Sequence, residues 1–226
     1  MNKKTKYIVG TIVGASLIYQ FFIYDEAKNL YYATIEAALK AKEADKRIHP
    51  VFAGEAEPDL PDPKENFRTI LGIDKNNNGI RDDVDIWINR TGKNHNEIMA
   101  LRQKARGQEA FLKAAVEKRY WDAEPTMNMS IQGERCIDVV FASDKKDTLR
   151  DLMIHKLSLI MYYPRIRGKT IVGFYKNILE YGQGGESGPL AYKNCTFELE
   201  NKEIVMRDYV LKSGYGSETK ESLWKK

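Results

Sequence analysis

The chain has 226 residues, enough for one sizeable domain with accessories. Hydrophobic residues make up 42% and charged residues 30%, the balance of a globular rather than a disordered chain. A formal charge of +4 is small for this length, where a nucleic-acid binder shows a stronger basic excess on one face, and by itself argues for no particular partner; no nucleic-acid partner is expected in the compartment that the start of the chain predicts.

The start of the chain sets its expected location. Lys3, Lys4 and Lys6 precede Tyr7–Tyr24, a run of 18 residues without a charge. As a helix this run spans ~27 Å, near the thickness of a bilayer's hydrocarbon. Residues 1–24 are therefore expected to act as an uncleaved signal anchor and transmembrane helix, with the membrane contacted through residues 7–24. The lysines predict a cytoplasmic N-terminus and everything after Asp25 outside. A cleaved signal peptide is the alternative, but Val13-Gly14-Ala15 would leave a short apolar core before the cut, and no good site follows Tyr24.

Residues 25–47, rich in Ala, Glu, Lys and Leu, predict a helix that continues the anchor as a stalk. Leu30, Tyr31, Ile35, Ala38 and Ala41 give it an apolar side, more often a core-packing face than an oligomer seam. Residues 48–65 carry Pro50, Pro58, Pro61 and Pro63, which discourage helix and sheet, and predict a semi-extended linker. The folded domain is expected over 66–212. It starts with a short helix at Phe67, Ile70 and Leu71, and a second helix runs from Val84 to Thr91-Gly92. A longer helix is expected over about 94–121, broken by Pro125, with further helices over 148–163 and from Ile171 to Gly182. Glu134–Ala142 reads equally as strand or helix. Thr196–Glu200 and Ile204–Leu211 are expected to pair as a small β-hairpin across Asn201-Lys202. The tail, 213–226, is polar and expected to be disordered. The fold class is thus mainly α, behind a transmembrane helix.

Between the first two helices of the domain stands Asp74–Asp85, D-K-N-N-N-G-I-R-D-D-V-D. Oxygen-bearing side chains fall at loop positions 1, 3, 5, 9 and 12, and a glycine at 6, the spacing with which one loop wraps a calcium ion. The candidate ligands are Asp74, Asn76, Asn78, the carbonyl of Ile80, Asp82 and Asp85, with Gly79 as the turn residue. The competing account is an Asn/Asp/Gly turn with capping aspartates.

The loop resembles EF-hand-like loops, more closely those of dockerins and bacterial extracellular proteins, which commonly end in Asp. Asn78 and Arg81 depart from that pattern. In that family a hydrophobic residue at the place of Arg81 packs against a second loop, and this sequence has no second copy. The resemblance implies one bound Ca2+, in a regime of ~10⁻⁴ M or somewhat tighter, acting as a structural clamp. N-G-I-R-D-D-V is also similar to a motif of uncharacterised bacterial envelope proteins. That likeness brings no activity with it; together with the apolar run 7–24 and its lysines it gives the expectation of a single-pass protein of the bacterial inner membrane with a periplasmic or extracellular domain.

Cys136 and Cys195 follow the membrane segment, in a compartment where disulfides persist. A bridge between them is expected, against the alternative of two unrelated buried thiols. Other constellations carry little. Gly182–Pro189 (G-Q-G-G-E-S-G-P) is similar to the nucleophile loop of trypsin-like proteases with one glycine missing, and His95, Asp138 and Ser187 occur in the matching order. That family is a two-barrel β protein, whereas this chain predicts helices. His49, His95 and His155 show no metal-ligand spacing. Tyr162–Lys169 mixes aromatic and basic residues, for which a solvated helix connection is the plainer account and anionic lipid the sharper one.

The first functional expectation is a non-enzymatic binding or scaffold module of the envelope with a protein partner. The second is an envelope hydrolase whose catalytic residues the sequence does not assign. The third is a membrane-held inhibitor or immunity protein.

Overall fold

The structure is a computed structural model that describes residues 24–40, 51–143, 148–180 and 195–213. The expected membrane segment before Tyr24, the end of the stalk, the Gly182–Gly188 loop and the tail from residue 214 lie outside the described residues. Among the described residues no helix is long and apolar enough to cross a membrane.

The described chain is mainly helical, as expected. After α1 (residues 24–40) come a hairpin of β1 (Val51–Phe52) and β2 (Glu55–Ala56), then α2 (Pro63–Asn66), α3 (Asp82–Thr91) and α4 (His95–Val116). A 3-10 turn (Tyr120–Asp122) leads into α5 (Ala123–Val140), followed by α6 (Thr148–Tyr162), α7 (Arg165–Glu180) and α8 (Lys202–Ser213).

α4 is the axis. Asn94 caps it, its Oδ1 accepting from Glu97 N at 3.0 Å while a Glu97 carboxylate oxygen accepts from Lys93 N at 3.0 Å, a reciprocal pairing that satisfies two orphan donors. α5 lies against α4 at close range. A Cβ on Gly107 would fall under 3.0 Å from the backbone of Ser130, and one on Gly133 under 3.0 Å from the backbone of Lys104. Only glycine allows that approach. Pro125, expected to break a helix, stands in the first turn of α5, where its missing N–H has no intrahelical acceptor to lose. The ambiguous stretch from Glu134 resolves as helix through Val140.

α3 is buried on every side from Asp82 to Asn89. Val84, Trp87 and Ile88 join Leu101, Ala105, Ile137, Leu157 and Ile160 in the main core. A second core gathers Phe111, Leu112, Ala115, Ile171 and Phe174. α1 belongs to this body. Ala27, Tyr31, Thr34 and Ala38 are buried at three-and-four spacing, and Thr34 Oγ1 donates to Leu30 O at 2.8 Å. The Tyr31 ring lies 5.1 Å from Phe67 and 5.0 Å from Tyr163. Over its described part, the segment expected to be a stalk is a packed helix of the domain.

Three local expectations are corrected. The residues read as a proline-rich linker form a hairpin over Val51–Ala56, turning at Ala53 (φ 48°) and Gly54 (φ 83°). Pro63 then opens α2 where proline is tolerated, and Asp62 Oδ1 accepts from Lys64 N at 2.8 Å. The short helix expected at Phe67–Leu71 is absent, because the helix ends at Asn66 and the chain continues as turns and bends. The hairpin expected across Asn201-Lys202 is replaced by α8. Val205, Met206 and Tyr209 are apolar at helical spacing and pack with Val139 and Leu199, so one face is buried at a period of 3.6, where a strand would need alternation.

Candidate functional site: an acidic loop held by buried arginines

Asp74–Asp85 carries the chain from the turns after α2 into the first turn of α3. Gly79 has φ 82° and Asn77 φ 54°, left-handed positions that glycine and asparagine tolerate best. The loop closes on its own side chains. Asp74 Oδ1 accepts from Asn78 N at 3.2 Å and its Oδ2 from Gly79 N at 3.0 Å. Asn76 Oδ1 accepts from Asn78 N at 3.2 Å, and Asn78 Oδ1 from Ile80 N at 2.9 Å. The Ile80 side chain is buried in the core and anchors the loop from beneath.

Asp82 and Asp85, expected as ligands, sit in the first turn of α3 with no exposed surface. Their environments differ. Asp82 Oδ1 accepts from Lys75 N at 3.1 Å, while its Oδ2 is buried without a hydrogen-bond partner. Burial, opposed by the Lys75 N–H and reinforced by Asp74, pushes the Asp82 carboxyl up to about 6. Asp85 has both oxygens engaged: Oδ1 accepts from Arg102 Nε at 2.9 Å and Oδ2 from Asn78 Nδ2 at 3.0 Å. The structure therefore gathers Asp74, Asn76, Asn78 and Asp82 within the loop and pairs Asp85 with an arginine.

Three residues close the site that the sequence reading left out. Glu55, on the hairpin, accepts from Asn78 Nδ2 at 3.0 Å. Its other oxygen accepts from Arg106 Nη2 at 3.0 Å. Arg106 Nε donates to Asn78 O at 2.9 Å, and Arg102 Nη2 to Asn89 Oδ1 at 2.9 Å. The spacing of Arg102 and Arg106, one turn apart on α4, hints at a shared face. Nothing local points to a partner at Glu55, which is 51 residues away from Arg106.

Arg81, at the loop's eighth position, turns into the core. Its Nε donates to Asp83 Oδ1 at 2.7 Å, and its Nη1 and Nη2 donate to Met161 O at 3.1 Å and Ile160 O at 2.9 Å. Those carbonyls end α6, where a helix presents unsatisfied acceptors and partial negative charge. Glu109 lies 3.6 Å from the same guanidinium, and burial raises its carboxyl above the usual range despite that neighbour. Arg167 adds a second buried cation, donating to Ile70 O at 2.5 Å and Tyr163 O at 2.7 Å. Burial and Arg81 push it down to about 9, which leaves it charged at neutral pH. Asn66 Nδ2 donates to Asp83 Oδ2 at 2.7 Å and completes the set.

Donors in the loop are all oxygens, which suits a hard cation, and Asp82 Oδ2 is an oxygen in want of one. No three His, Cys, Asp or Glu side chains come together as a metal-holding group among the described residues. Cys136 and Cys195 form the expected disulfide. It ties the Thr196–Glu200 segment to α5, and Asn96 brackets the same segment through Glu200 O at 2.8 Å and Glu200 N at 2.9 Å. Of the protease-like set, His95 packs against Phe197, Asp138 pairs with Arg150, and Ser187 lies outside the described residues. No protein-family model, curated protein or solved structure matches the chain.

Proposed function

We propose that the chain is a membrane-anchored, extracytoplasmic binding or scaffold protein of the bacterial envelope, in which Asp74–Asp85 takes calcium as a structural ion. The observation that carries the calcium reading is Asp82 Oδ2, a buried carboxylate oxygen without a partner in a loop of oxygen donors. Asp74, Asn76, Asn78, the Ile80 carbonyl and Asp82 are the proposed ligands, with Asp85 joining only by loosening from Arg102. Bound calcium would supply the counter-charge that the buried Asp82 carboxylate lacks, and would do no chemistry. The Cys136–Cys195 bridge supports an oxidising compartment, and the apolar run 7–24 supports the anchor. The scaffold reading is supported by where the buried charged groups go: Asp85 on α3 pairs with Arg102 on α4, and Arg81, paired with Asp83, reaches the carbonyls that end α6.

Thermal unfolding in millimolar calcium and in chelator tests the ion. At a Kd of ~10⁻⁴ M, 1 mM free calcium stabilises by about 1.4 kcal/mol, a rise of roughly 3–5 °C for a chain of this size. Asp82→Asn should abolish that rise and, by removing a poorly solvated charge, raise the melting point in chelator. Equal melting points for the native chain in both buffers would sink the calcium reading. Co-purification from native membranes tests the scaffold: a stoichiometric partner is expected, and turnover of envelope material by the lone protein would replace the reading with a hydrolase.

A further inference from the structure

The outer face of α7 is apolar and basic. Ile166 is 49% exposed and Val172 56%, and Arg165 and Lys169 are exposed beside them. Residues 165, 166, 169, 172 and 173 share one side of a helix.

The place of this face in the chain says what can cover it. Tyr24 is the last residue of the apolar run 7–24, and its ring lies 5.7 Å from that of Tyr163. Tyr163 leads through Pro164 directly into Arg165 and Ile166. On the anchor proposed above, the first turn of α7 would therefore stand beside the point where the chain leaves the bilayer. A surface tethered there meets lipid at high effective concentration, and a helix face of apolar and cationic side chains is what an anionic interface holds.

We propose that the exposed face of α7 rests on the anionic bilayer surface as a second membrane contact, with Ile166 and Val172 in the headgroup boundary and Lys169 at lipid phosphates. The contact rests on the anchor proposed above. It would fix the orientation of the whole domain on the membrane, because α7 packs into the second core through Ile171 and Phe174.

The test uses the full chain in phosphatidylcholine vesicles, with and without about one-third phosphatidylglycerol. Cys136 and Cys195 are bridged, so a single added thiol takes an environment-sensitive fluorophore at Ile166→Cys, at Leu17→Cys inside the apolar run, or at Ile204→Cys on α8. The Leu17 probe should be lipid-buried in both vesicle types. The Ile166 probe should shift to the blue in anionic vesicles alone, while the Ile204 probe stays aqueous. Lys169→Glu should lower the docking equilibrium by about fivefold or more, and high salt should act in the same direction. A buried Leu17 probe with an Ile166 probe in water would overturn the contact and leave the anchor standing. A Leu17 probe in water would overturn both. An Ile166 probe shielded in detergent as well as in vesicles would assign the face to a protein contact, against the proposal.

Discussion

Tyr31 shows how one side chain ties the first helix to the buried charges. Its ring packs among aromatic neighbours, and its hydroxyl is buried beside Asp83, with Asn66 near but outside hydrogen-bond geometry. Burial first, then Asp83, pushes the phenol up to about 12. A phenol whose folded pKa exceeds its ordinary value of about 10 contributes stability that is intact below pH 10 and lost as pH climbs towards 12. Urea unfolding across that window should therefore show the native chain losing about 2–3 kcal/mol more stability than Tyr31→Phe does. Parallel curves would mean that Tyr31 is not the group that titrates. The sequence marked Tyr31 as part of an apolar stripe but could not reveal Asp83 beneath its hydroxyl. An acidic run such as Asp82-Asp83-Val84-Asp85 reads as solvated, and each of its three carboxylates is buried on a different partner.

At the scale of elements, the α4–α5 contact is the tightest joint. Gly107 and Gly133 each face the backbone of the opposite helix, with no flexible side chain to move aside. Gly107→Ala should force the helices apart and cost about 2–3 kcal/mol, even though alanine is the better helix former by about 1 kcal/mol. A chemical denaturation midpoint unchanged or raised by Gly107→Ala would show the joint to be looser. Periodicity foresaw the helices themselves, because the apolar stripes of α4, α6 and α7 are long. It missed the elements that depend on distant partners. The 51–56 hairpin has too few residues for any period, and it is held by Arg102 and Arg106 through Glu55. The β-branched Ile204-Val205 favours a strand, a local preference overridden in α8 by a face packed on Val139 and Leu199.

The whole molecule is stapled at its end by Cys136–Cys195, across a sequence separation of 59. Replacing both cysteines by serine should lower stability by about 4 kcal/mol in the chain-entropy account. Proteolysis should then cut first near the Thr196–Glu200 segment, since the bridge and the hydrogen bonds of Asn96 and Gln103 hold it to the helices. Cleavage elsewhere first would show that the segment holds without the bridge. The position of Arg81 bears on the molecule in another way. Its guanidinium is consumed by the C-terminal carbonyls of α6 and by Asp83. The loop's eighth position is thus turned into the core of the domain, where a paired loop would need an apolar side chain facing its twin. If the loop takes calcium as proposed, the titration should be hyperbolic at every protein concentration. A gradual response of that kind would suit a steady brace and not an alarm.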